Sequence, residues 1–143
     1  MIYLDTSFLA SLFREEATSS KVAAFLARQS VGTLAVSKWA SVEFASLISR
    51  DVRMDTITVV HGRKLIAEFE AMVADALVAL TPTVNDFTLA QQYVADFSTK
   101  LRAPDALHLA VAHNSAAEFV ATLDEGMLYA AKKLKVAARR VIR

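Results

Sequence analysis

Four acidic residues stand at the structural seams of this 143-residue chain: Asp5, Glu43, Asp105 and Asp124. Asp5 follows Met-Ile-Tyr-Leu, Asp105 follows Ala-Pro, and Asp124 follows Phe-Val-Ala-Thr-Leu, each where an apolar stretch gives way to a helix start. In an α/β fold, residues just past the carboxyl ends of parallel strands converge on one edge of the sheet. Carboxylates about 5 Å apart repel by roughly 3 kcal/mol per pair at an effective dielectric near 20. Such a cluster calls for a hard divalent cation with oxygen ligands, Mg²⁺ or Mn²⁺, and for metal-assisted chemistry on a phosphate ester.

Each acid also has a plain structural reading. Asp in the first turn of a helix accepts backbone N–H bonds and complements the helix dipole, contributing about 0.5–2 kcal/mol as a cap. Glu43 resists that explanation, because it falls in mid-helix on the face of Trp39, Ala40 and Leu47. A bare acid in an apolar stripe is costly, so it must be paired, protonated or holding a cation. Ser7 and Thr122 are read as hydroxyls that orient the neighbouring carboxylates or hold water, and Thr6 as an ordinary cap. His108, one turn beyond Asp105, reads first as a hydrogen-bonded core histidine and second as a ligand. Lys38, Lys100 and Arg102 are solvated bases on the plain reading and phosphate contacts on the functional one. Arg102, just before Ala-Pro-Asp, is the best placed of them.

The elements that must position these residues alternate between strand and helix. Strands are expected at Ile2–Leu4, Thr33–Val36, Ala76–Leu80, Phe119–Thr122 and Val136–Ile142. Helices are expected over Thr6–Arg14, from a cap at Ser19 or Ser20, from Ser37 through Arg50, from Asp55 through about Ala74, and from Thr83 through about Phe97. Two more begin at Pro104 and Glu125, with Pro104 in a first turn where its missing N–H costs nothing. The pattern predicts one α/β domain over residues 1–143, a three-layer sandwich with a parallel central sheet and helices on both faces. No repeat or linker interrupts it.

Composition narrows the classes. Hydrophobic residues make up 55% of the chain and only two prolines and three glycines occur, which argues against disorder. The absence of cysteine excludes disulfides, thiolate zinc sites and cysteine nucleophiles, and is compatible with a reducing cytoplasm. No basic n-region opens the chain, so no signal peptide is expected, and no apolar run is long enough to span a membrane. Residues 132–143 carry six Lys/Arg and no acid, leaving ten bases against fifteen acids in the rest, a balance of −5. That basic segment, with Lys132, Lys133, Lys135, Arg139, Arg140 and Arg143, is expected to supply phosphate contacts to RNA. Its plain alternative is a solvated helix and a blunted edge strand.

Met-Ile-Tyr-Leu-Asp-Thr-Ser, mid-helix Glu43, Leu-Arg-Ala-Pro-Asp-Ala-Leu-His-Leu-Ala and Ala-Thr-Leu-Asp, in that order, resemble the PIN-domain ribonucleases. The likeness covers nearly the whole chain and is nearest to VapC-type toxins of bacterial toxin–antitoxin pairs. It implies a metal-dependent endoribonuclease with acidic ligands Asp5, Glu43, Asp105 and Asp124 and supporting hydroxyls Ser7 and Thr122. Asp5 and Asp105 would be the principal ligands. The resemblance further implies Mg²⁺ or Mn²⁺, a VapB-type antitoxin partner, a homodimer, and a structured RNA substrate such as a tRNA or ribosomal RNA loop. The products would carry 5′-phosphate and 3′-hydroxyl ends. Two departures stand out: Met127 replaces the usual aromatic or leucine three residues after the last acid, and the basic end segment is less typical. A haloacid-dehalogenase-type phosphatase would need an acid where Ser7 stands, and a dinucleotide-binding module a glycine-rich turn after the first strand. An inactive PIN-like scaffold that only binds RNA or protein is the remaining alternative.

Overall fold

Successive side chains of a strand point to opposite faces of its sheet, and here both faces are covered. In the computed structural model, which describes residues 1–142, β1 (Ile2–Leu4) sends Leu4 to one core and Tyr3 to the other. β2 (Leu34–Ser37), β3 (Val78–Leu80), β4 (Phe119–Ala121) and β5 (Ala138–Arg139) complete a sheet of order β3-β2-β1-β4-β5. Every pairing is parallel. The first core lies under α1 (Thr6–Ala10), α2 (Ser19–Ala27), α3 (Lys38–Arg53) and α4 (Val59–Ala76). Its centre is Phe44 stacked on Phe69 at 4.2 Å between ring centroids, with Phe13 edge-on to both. The second lies under α5 (Val84–Ala95), α6 (Ala103–Asn114) and α7 (Glu125–Leu134), and buries Tyr93, Leu109, Val120 and Met127. Met127 thus fills its family position as a fully packed apolar side chain, 1% exposed.

The three-layer α/β architecture expected from the sequence is present. The chain walks outward from β1 to β3, then returns to add β4 and β5 on the other side. That reversal puts a topological switch point between β1 and β4, where a crevice opens at the carboxyl ends of the strands. Asp5 leaves β1 and Thr122 leaves β4 at that point.

Local signals held at several starts. Ser37 caps α3 by accepting from Trp39 N at 3.0 Å, Thr83 and Asp86 form a reciprocal capping box on α5, and Pro104 sits in the first turn of α6. Others were displaced. Asp55 does not begin a helix; it takes a left-handed φ of 55° and closes α3. Asp55 N bonds Val52 O and Thr56 N bonds Asp51 O, the paired bonds of a Schellman motif. Thr58 caps α4 instead, through His61 N at 3.1 Å, so Ile57 and Thr58 stay outside the helix. α1 stops at Ala10 rather than Arg14 because Leu12 and Phe13 bond three residues back, in tightened turns. α5 ends at Ala95, and Phe97–Thr99 is a separate 3₁₀ turn. α2 follows Thr18, which makes no side-chain cap; Ser19 Oγ reaches across to Ser11 O instead. β5 is only two residues long, shorter than the expected edge strand. No helix among the described residues is long and apolar enough to cross a membrane.

Candidate active site

Asp5 is built into the seam between β1 and β4. It is 3% exposed and does cap α1, accepting from Phe8 N at 3.0 Å. Both its oxygens are engaged: Ser7 Oγ donates across them at 2.9 and 3.0 Å, and Thr122 Oγ1 donates to Oδ2 at 2.9 Å. The same two hydroxyl oxygens accept from Leu123 N and Asp124 N at 3.2 and 3.0 Å. Ser7 and Thr122 thereby lock the loop after β4 against the end of β1, the orienting role expected of them. Burial pushes the Asp5 carboxyl up, opposed by positive charge at His108 and by the bonds from Phe8, Thr122 and Ser7, and burial prevails.

Glu43 reaches the crevice from the second turn of α3 and is 22% exposed. Burial would raise its carboxyl too, but the hydrogen bond and charge of His108 and the Thr6 hydroxyl outweigh it and hold the group below the usual carboxylate range. Thr6 is therefore not a cap; Asp5 already fills that role, and Thr6 Oγ1 donates to Glu43 Oε1 at 2.6 Å. His108, fully buried in α6, uses its ring nitrogens on Glu43, Thr6 and Tyr3. That is the core reading of His108 and leaves its nitrogens no role in an Asp-x-x-His chelate.

Asp105 and Asp124 differ from these. Asp124 caps α7, accepting from Met127 N at 2.7 Å. Asp105, 19% exposed in the first turn of α6, meets only the exposed Arg102, whose Nε lies 3.9 Å from Oδ2. Its carboxyl is pushed up to about 6, first by burial and then by the negative charge of Asp124, with Glu43 adding to the effect and Arg102 and His108 opposing it. Asp105, Asp124 and Glu43 thus share one field, and Asp5 lies beside them through His108 and Thr122. All four acids named from the sequence converge.

The donors are carboxylate oxygens, the chemistry hard cations take. Among the described residues, no three Asp, Glu or His side chains stand close enough to cage a metal ion. The arrangement fits an open site, as Mg²⁺ usually takes one or two carboxylates and fills its remaining positions with water and substrate phosphate.

The basic residues divide. α7 runs from the carboxyl edge of β4 back to the start of β5, so Lys132 and Lys133, in its last turn, sit at the far edge of the sheet from the acids. Ten helical residues span about 15 Å. Arg140 returns to the acidic edge and pairs with Glu125 at 2.7 Å. Arg139 covers the Phe119 ring at 4.5 Å, and Lys133 lies 5.2 Å from the Tyr129 ring. Arg143 lies outside the described residues. What sequence reasoning missed is that Thr6 and His108 hold Glu43 and that Tyr3 holds His108; the local hint was a histidine inside an apolar helix.

A family model described as PIN domain matches residues 2–133. No curated protein matches the chain by sequence. Solved structures share the fold. VapC20 of Mycobacterium tuberculosis, described as a sarcin–ricin-loop-cleaving toxin, is 17% identical with a TM-score of 0.75, covering 91% of this chain and 95% of its own. FitAcB from Neisseria gonorrhoeae is 20% identical with a TM-score of 0.69, covering 96% of each chain. VapBC2 from Rickettsia felis, bound to a DNA fragment from its promoter, is 14% identical with a TM-score of 0.66, covering 97% and 98%.

Proposed function

Because the chain belongs to the PIN-domain family, we propose that it is a Mg²⁺- or Mn²⁺-dependent endoribonuclease, the VapC-type toxin of a toxin–antitoxin pair. The observation that carries the reading is Asp105: a half-buried carboxylate with no hydrogen-bond donor from the described residues, pushed up to about 6 by burial and the charge of Asp124. An acid kept in that condition beside Glu43 and Asp124 is a ligand awaiting a cation.

Asp105 and Asp5 would hold the ion, with Glu43 and Asp124 completing the site directly or through water. A cation held there would polarise the scissile phosphate and acidify a water, chemistry that would leave 5′-phosphate and 3′-hydroxyl ends. The chain supplies the rest. Ser7 and Thr122 fix both oxygens of Asp5, Thr6 and His108 keep Glu43 ionised, and the Asp124 cap sets the floor of the crevice on α7. Arg102, exposed at the mouth, is free to turn from Asp105 to a phosphate.

The substrate proposed is a structured RNA loop, of tRNA or ribosomal RNA. VapC20 is described as cutting such a loop, and unstacked loop bases are what proteins read in RNA. A VapB-type antitoxin would silence the enzyme, most simply by presenting an Arg to the carboxylates. A homodimer is proposed as well. A groove of about 650 Å³ lined by Trp39, Phe87, Val94, Phe97, Pro104 and Leu107 exposes Phe87 and Phe97 beside the crevice, a surface suited to a protein contact.

The test is cleavage of a panel of cellular RNAs with Mn²⁺ or Mg²⁺, with EDTA, and with a folded Asp105→Asn variant. Metal-dependent cuts that vanish in the variant are expected. RNA binding with no cutting under any metal would leave an inactive PIN scaffold.

A further inference from the structure

The side chain that holds Glu43 is itself held. His108 is 1% exposed; its Nδ1 lies 2.6 Å from the Tyr3 hydroxyl, and its Nε2 meets Glu43 Oε1 and lies 3.1 Å from Thr6 Oγ1. An ionised Glu43 only accepts, and the single Thr6 proton is already spent on Oε1. Nε2 must therefore carry a proton. A neutral ring then accepts from the Tyr3 O–H at Nδ1 and a charged ring donates to the Tyr3 oxygen, so in either form the Tyr3 contact holds the ring. Burial drives the Tyr3 phenol up, keeping it protonated, and the Ser37 hydroxyl lies within hydrogen-bonding reach of it. Ser37 in turn caps α3, the helix that carries Glu43. Both bonds to Glu43 fall on Oε1, so Oε2 has no donor among the described residues.

We infer that His108 is a positioning residue for Glu43: Tyr3 fixes the setting of its ring through Nδ1, and its Nε2–H anchors Oε1, leaving Oε2 for a ligand. The inference rests on the nuclease reading, in which Glu43 helps to hold the cation. The chain of donors runs from β1 through α6 to α3, three elements that have to be packed before Glu43 can be aimed. Partners of this kind around a ligand typically contribute 10–100-fold in metal affinity or activity.

The experiment compares wild type, Tyr3→Phe, His108→Leu and His108→Gln, each first checked for cooperative melting. Tyr3→Phe removes one oxygen and keeps the ring, so it tests the inference even if the His108 variants do not fold. Imidazole ¹⁵N and ring-proton shifts should report one fixed ring setting with a protonated Nε2 for His108 in wild type and averaged shifts in Tyr3→Phe. Mn²⁺ affinity by calorimetry should fall about 10–100-fold in Tyr3→Phe and His108→Leu, and kcat should fall with little change in KM for RNA. His108→Gln, which retains an amide N–H toward Glu43, should recover part of both losses. An unchanged imidazole signal and unchanged Mn²⁺ affinity in Tyr3→Phe would overturn the inference, as would equal losses in the Leu and Gln variants. A wild-type protein that neither binds Mn²⁺ nor cuts RNA would overturn the nuclease reading instead, an outcome separable from those two.

Discussion

The crevice has two unlike halves. On the β1 side, Asp5 and Glu43 are held by donors: Phe8 N, Ser7 and Thr122 reach both oxygens of Asp5, and Thr6 and His108 reach Oε1 of Glu43. On the α6 side, Asp105 has only a long contact to an exposed arginine and faces the charge of Asp124. Three of these four carboxylates stand at strand or helix ends, and burial pushes the carboxyls of both Asp5 and Asp105 up. Donors surround Asp5, but none among the described residues reaches Asp105 at hydrogen-bonding distance. The donors of the β1 half tie β1 to β4 and α6 to α3, so that half serves the fold. In the α6 half, burial and the charge of Asp124 oppose the ionised form of Asp105, with only Arg102 and His108 offsetting them.

Removing one acid from each half should separate the two roles most sharply. Asp5→Asn and Asp105→Asn are both expected to lower RNA cleavage by at least about 10²–10³-fold, the scale of losing a principal charge at a reacting centre. Their stabilities should diverge. Asp5→Asn confronts the Thr122 or Ser7 hydroxyl with an amide N–H₂, and a lost buried bond costs about 1–3 kcal/mol. Asp105→Asn breaks no hydrogen bond and removes a repelled charge, so metal-free protein at pH 7 should become more stable. Urea unfolding of both variants decides it; shifts of the same sign would erase the distinction between the halves.

The pH dependence of the metal-free protein isolates the α6 half. An acid whose folded-state pKa is raised opposes folding once ionised. For Asp105, raised from 3.8 to about 6, the unfolded chain loses the proton first. Stability should fall by about 3 kcal/mol as pH rises through that window and stay low above it. Subtracting the Asp105→Asn profile from that of wild type should reveal this slope, and parallel profiles would count against it.

Metal should cancel the same penalty. A cation that binds only the folded state adds about 2.7 kcal/mol at a hundredfold excess over its Kd. Melting in Mn²⁺ against EDTA should show that gain for wild type and little of it for Asp105→Asn. An equal response in both would place the ions elsewhere.

The smallest effect concerns the basic segment, which the fold divides between the two edges of the sheet. Arg140→Gln, at the acidic edge, should reduce the slope of log K against log salt for single-stranded RNA by about 0.7. Lys132→Gln and Lys133→Gln, a helix length away, should leave it unchanged. Equal slopes for all three would mean that RNA follows the whole segment, or none of it.

Much of this was legible in the residue order. Capping at Ser37, Thr83 and Pro104 needs only neighbours within three positions, and the alternation that sends Leu4 and Tyr3 to opposite cores is a property of any strand. The acids were found for the same reason: each follows a recognisable strand or lies in a recognisable helix, and their order resembles a known family. Where local signals compete, the sequence misled, as at Asp55, where a good capping residue was used in a left-handed turn to close the preceding helix. Tertiary structure alone decided which acid is saturated and which is bare. Glu43 and His108 lie 65 positions apart, and Tyr3 and His108 lie 105 apart. Such pairs meet only when a parallel sheet brings β1, α3 and α6 to one crevice, and no periodicity along the chain encodes that meeting. Desolvation is likewise a property of the packed state, so the charge that Asp105 cannot easily carry exists only once α6 has docked.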